Sequence, residues 1–182
     1  MKDRREQILT AALATLREHG SSGFTQARVA ARAGLRQSHL TYYFGTRLVL
    51  LKSVARVAVD GQLVAIDKVL AGASMHSVAK GLADLTLRHE NARLLVALIQ
   101  AADREPSLRE VFRELTDGVA LRMEAFLKRL NVLATQEHAY LLHALSVGLA
   151  VIDLAAQRPR SKHRAAAVLE TTFSLMTAKA KP

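Results

Sequence analysis

Apolar residues along this chain recur at helical spacing, and no stretch shows the alternation of a strand. Ile8, Ala12 and Leu16, with Leu9 and Leu13 beside them, predict a first helix from Asp3 to His19. "HGSSGF" ends it, with Gly20 as its C-cap. Thr25 is an N-cap for a short helix ending near Ala33, and Gly34 supplies a tight turn. A second short helix is predicted from Arg36 to Tyr43. Gly45 breaks it, and Thr46 caps a long helix reaching Leu70.

The pattern continues to the end of the chain. "AGASMHS" reads as a loop with Ser74 or Ser77 as a cap, followed by one helix to His89 and another from Asn91 to Arg104. Pro106 suits the first turn of a helix reaching Leu130. "NVLATQE" is a break; Thr135 with His138 is not expected to form a capping box, but Thr135 is still an N-cap. The helix from Gln136 to Gln157 is almost wholly apolar between Tyr140 and Ala156 and is expected to be buried on most faces. After "RPRSK", a last helix from Lys162 to Ala178 turns Val168, Leu169, Phe173 and Met176 inward. The basic tail, Lys179 and Lys181, reads as solvated.

Two short helices joined by a glycine turn form the helix-turn-helix pattern, whose second helix lies in the DNA major groove. Its polar residues suit that task. Arg36 can donate twice to guanine and Gln37 can bond adenine, while Ser38 and His39 can reach a base or a phosphate. Leu40 and Phe44 face inward as anchors. Tyr42 and Tyr43 can pack on sugars and methyls while their hydroxyls donate to phosphate. An ordinary surface helix with an aromatic end is the plainer reading of "RQSHLTYYF", and the ordered motif outweighs it. Arg28, early in the first short helix, is a contact of the same kind.

Charge sharpens this picture. The 182-residue chain carries a formal net charge of +10. Residues 1–56 hold 10 Lys/Arg against 3 acids, so most of the excess is local to the motif. That favours an anionic partner, nucleic acid before membrane. There is no cysteine, which excludes disulfides and thiolate metal sites and suits a reducing cytoplasm. The N-terminus lacks a signal-peptide core, and no run approaches a membrane span, "VGLAVIDLAA" being short and carrying Asp153. The expectation is a soluble, cytoplasmic protein.

The seven histidines include His138 and His143, five apart, and His76 and His89 in different segments; this spacing favours no metal site, and no cofactor is expected. A helical enzyme finds no nucleophile–base pair or glycine-rich phosphate loop, so no catalytic residue is expected. A membrane-surface protein would need one long cationic amphipathic helix, whereas Gly20, Gly23, Gly34 and Gly45 cut the basic segment into short ones.

Residues 4–52 resemble the N-terminal domain of the TetR family of transcriptional regulators. The matching features are "ILTAA" in the first helix, a glycine and a threonine around a short loop, "VAARAGL" through the turn, and the aromatic cluster ending in Phe44. Thr41 stands where the family usually has tyrosine, Arg47 where it has lysine, and Leu48 and Val49 where acids usually follow. The resemblance implies an all-α protein: a helix-turn-helix domain over residues 1–47, then a larger helical effector-binding and dimerisation domain over 48–182. Its DNA contacts would be Thr25, Arg28, Arg36, Gln37, Ser38, His39, Thr41, Tyr42, Tyr43 and Arg47.

The resemblance also implies a homodimer through the last two helices, a near-palindromic double-stranded operator and repression relieved by a small-molecule effector. Control by a protein partner is the alternative. Family analogy puts the pocket among residues 55–155, with apolar walls from Leu63, Ile66, Leu82, Leu85, Leu95, Ile99, Phe112, Leu115 and Phe126. Gln100, Asp103, Phe112, Thr116, His143 and Ser146 are the ligand candidates. The low aromatic content, 4%, weighs against a flat multiring cation. Asp153, in an apolar helix, needs a partner, with Arg158 or an arginine across the dimer expected ahead of a ligand amine. Gly148 would permit close helix packing.

Overall fold

A computed structural model describes residues 3–132 and 135–178. The protein is all-α, and the described residues form α1 (Arg4–His19), α2 (Gln26–Arg32), α3 (Gln37–Tyr43), α4 (Arg47–Leu70), α5 (Met75–Thr86), α6 (His89–Arg104), α7 (Arg109–Arg129), α8 (Gln136–Ala156) and α9 (Ser161–Ala178). A 3-10 turn at Pro106–Leu108 precedes α7. Lys179 and Lys181 lie outside the described residues. The chain divides into two compact units: Met1–Gly61 with Arg93–Phe112, and Gln62–Ala92 with Arg113–Pro182.

Local chemistry sets the helix ends of the first unit. Gly20 closes α1 at φ +65°, a conformation that costs glycine least, and its N–H bonds the Leu16 carbonyl. Thr25 caps α2 by accepting from the Arg28 N–H at 3.2 Å. Gly34 turns the chain at φ +67°, and Leu35 N–H bonds the Ala30 carbonyl at 2.9 Å. Thr46 accepts from Val49 N–H at 3.1 Å to open α4. Ile8, Leu16, Phe24, Val29, Leu40, Phe44, Leu50 and Leu51 are fully or almost fully buried. Each contributes about 1.5–3 kcal/mol by leaving water, which offsets the ordering of three short helices.

The second unit is built on one apolar cluster drawn from α4, α5, α7, α8 and α9. Ile66, Leu82, Met123, Leu127, Leu142, Leu169 and Phe173 lie at its centre. Phe126 meets Phe173 edge-on, ring centres 5.9 Å apart. Arg129 donates to the carbonyls of Leu70 and Gly72, satisfying the C-terminal end of α4. Ser74 and Ser77 together form a capping box on α5.

Three sequence expectations need correction here. The break predicted around His89–Asn91 falls earlier, and His89 opens α6. Asn91 Nδ2 donates to the Leu85 carbonyl at 3.2 Å, tying that break together. Thr135 and His138 do form a capping box: His138 Nδ1 accepts from the Thr135 N–H at 3.1 Å, doing the work usually given to glutamate. Finally, α8 is by length and composition apolar enough to span a membrane, against the expectation that no run would be. Nor is it buried on most faces as expected: Ala139 and Leu142 are fully buried in the cluster, while Leu141 and Ile152 on the same helix are exposed, because the cluster covers only one side of it.

Candidate nucleic-acid interface

α3 presents two opposite faces. Leu40 is fully buried and Phe44, its C-cap, almost so; these hold the helix against the first unit. Arg36, Gln37, Ser38, His39 and Thr41 are exposed. Arg36 sits at the N-cap with extended backbone, so its side chain and the first turn of α3 project together. Thr41 Oγ1 donates back to the Gln37 carbonyl at 3.0 Å. Tyr42 is 85% exposed and meets Tyr43 edge-on at 5.3 Å. So large an exposed ring costs hydration unless a partner covers it.

Long-range hydrogen bonds hold the reading helix in place. Gln7 Nε2 donates to the Ala33 carbonyl at 2.8 Å, fixing the α2–α3 turn to α1. Gln26 Nε2 donates to the Phe44 carbonyl at 2.9 Å, fixing the far end of α3 to α2. Arg5 lies over the Phe44 ring at 5.3 Å. Thr25 is the α2 N-cap, and Arg28 Nη1 donates to the Gly23 carbonyl at 2.8 Å. Arg47 donates from Nε to the Phe24 carbonyl and from Nη2 to the Ser21 carbonyl, each at 2.8 Å. Its guanidinium therefore clasps the α1–α2 loop. Arg4 went unremarked in the sequence as a contact. It lines a concavity of about 580 Å³ with Arg36, His39, Tyr42 and Tyr43, a grouping that only the folded turn creates.

The residues expected around an effector divide between the units. Gln100, Asp103 and Phe112 belong to the first, with Thr116, His143 and Ser146 in the second. Gln100 accepts from Ser21 Oγ at 3.1 Å. Asp103 is exposed. Ser146 is buried but donates to the Leu142 carbonyl at 2.8 Å in its own helix. Burial pushes the His143 imidazole below its ordinary value, favouring the neutral ring. Of the expected walls, Leu63, Ile66, Leu82, Leu85, Leu115 and Phe126 pack in or against the apolar cluster, while Ile99 is exposed.

Within the chain, Asp153 is paired with His89 and not with the expected Arg158. His89 Nε2 lies 3.0 Å from Asp153 Oδ2, joining the start of α6 to the end of α8 within the second unit. A hydrogen bond with Ser161 does most to hold the carboxyl below its ordinary value, helped by His89 and the charge of Arg164 and opposed by burial. Sixty-four residues separate His89 from Asp153, so no local pattern could pair them.

A buried-anchor, exposed-polar helix after a glycine turn is the arrangement of a helix-turn-helix. Residues 8–54 match the family model described as bacterial regulatory proteins, tetR family. Over that stretch, about a quarter of its length, the chain is similar to the DNA-binding domain of those regulators. Solved structures extend the likeness over the whole chain. A transcriptional regulator from Rhodococcus sp. Rha1 superposes with a TM-score of 0.83 at 21% identity, covering 96% of each chain. A transcriptional regulator from Streptomyces coelicolor A3(2) gives 0.76 at 25%, covering 96% of this chain and 98% of that one. The multidrug binding protein EbrR, complexed with imidazole, gives 0.71 at 26%, covering 94% and 96%. No curated protein matches the chain.

Proposed function

We propose that this regulator binds a near-palindromic operator as a homodimer, acts as a repressor, and leaves DNA when a small molecule enters its second domain. The observation that carries the DNA half is the division of α3, with Leu40 and Phe44 buried and Arg36, Gln37, Ser38 and His39 exposed together. Arg36 and Gln37 read bases, Ser38 and His39 reach bases or phosphates, and Thr25, Arg28, Thr41, Tyr42, Tyr43 and Arg47 position the backbone.

Exposed apolar side chains support the dimer. Tyr140, Leu141, Val151 and Ile152 on α8 and Leu175 on α9 are between 40% and 65% exposed. Pairing these helices across a twofold axis would bury them in a four-helix bundle. EbrR is a multidrug binding protein whose structures hold imidazole and proflavin, which supports a small-molecule effector here. Within the second unit the effector would meet Thr116, His143 and Ser146 in a setting poor in aromatics.

Footprinting on the DNA flanking its own gene tests the reading. A protected near-palindrome, released by an effector from a small-molecule screen, is the expected result. Salt-sensitive smearing with no protected site there, and none among sequences selected from a random pool, would overturn sequence-specific regulation.

A further inference from the structure

The concavity beside the reading helix is bounded by two groups of different origin. Arg36, His39, Tyr42 and Tyr43 come from α3 and its cap, and Arg4 comes from the first turn of α1, more than thirty residues away. Arg4 is held there. Its Nη1 donates to Gln7 Oε1 at 2.9 Å, and Gln7 in turn donates through Nε2 to the Ala33 carbonyl at 2.8 Å. One side-chain amide thus orients the guanidinium and grips the turn that launches α3.

We propose that Arg4, positioned by Gln7, completes a seat for one DNA backbone phosphate with His39 and the hydroxyls of Tyr42 and Tyr43, beside the base-reading Arg36. The proposal rests on α3 being the reading helix. Its chemistry is that of a phosphodiester: arginine presents a planar fork of donors, and the bond to Gln7 takes one of five. Tyrosine hydroxyls add neutral donors at the rim. Because Gln7 ties Arg4 to the turn itself, a phosphate bound there sets the register of α3 in the groove. Arg5, one residue on, has a different role, since its guanidinium lies over the Phe44 ring.

The test compares Arg4→Ala, Arg4→Lys, Arg5→Ala and Gln37→Ala for binding to a random-sequence duplex and to DNA selected by the protein from a randomised pool. Affinity is measured across salt concentrations and folding by thermal melting. Arg4→Ala should melt like the wild type, weaken binding to both DNAs, and reduce the salt slope by about 0.9 for each reading head. Arg4→Lys should recover the slope but not all of the affinity, and Arg5→Ala should keep the slope. An unchanged slope in Arg4→Ala, or an equal reduction in Arg5→Ala, overturns the seat. If Gln37→Ala still loses preference for the selected DNA, the reading-helix assignment survives that failure. If no variant changes binding to either DNA, the reading helix itself has been misassigned.

Discussion

Gln37 stands exposed in the first turn of α3, one residue after an N-cap and three before a buried anchor. Nothing in the fold needs its amide there, and an adenine edge would use both ends of it. Gln37→Ala should therefore weaken operator binding by about 1–3 kcal/mol and leave random DNA nearly unaffected in a fluorescence-anisotropy titration. Equal loss on both would remove Gln37 from the base readers. Arg47 differs, because its Nε and Nη2 already donate to Phe24 and Ser21. Arg47→Ala should cost about 1–3 kcal/mol of stability by leaving carbonyls unpaired, read by urea unfolding. If it also contacts a phosphate, the salt slope will fall with it; an unchanged slope confines Arg47 to the loop clasp.

Among the elements, α1 to α4 were the most legible in the sequence because their ends rest on local signals. Gly20, Thr25, Gly34 and Thr46 act within a few residues of themselves, and each sits at the predicted boundary. The α5–α6 break was misplaced because Asn91 and Leu85 close it by a side-chain bond that propensity does not register. The tie between α6 and α8 was wholly illegible. Its energetics depend on pH. A carboxyl held below its ordinary value of about 3.8 stabilises the fold at every pH above that value. The contribution fades as pH falls through the lowered native value. The stability advantage of the wild type over Asp153→Asn should thus be steady from neutrality to about pH 4 and shrink below it in acid titrations of unfolding. A difference that stays constant to pH 2.5 would show that the charge on Asp153 stabilises nothing.

For the whole molecule, the decisive surface is the apolar face left on α8 and α9. A helix apolar on most sides was expected to be buried on most sides, yet Ile152 is 63% exposed and Leu175 65%. The proposed pairing with a second copy of the chain would cover both side chains. Ile152→Glu should give a folded monomer near 19.9 kDa by sedimentation, with helical content retained and operator affinity reduced, because one reading head replaces two. A variant that remains fully dimeric would place the interface elsewhere.

By itself the sequence determined the helical class, the order of the elements, the caps at Gly20, Thr25 and Thr46 and the polar content of the reading helix. These depend on spacing and on interactions a few residues long. Tertiary structure alone brought Arg4 beside Arg36 and His39, engaged Arg47 with the loop carbonyls, paired His89 with Asp153 and set the effector candidates in separate units. Such contacts join residues dozens of positions apart, and their partners are chosen by packing, which no local pattern encodes.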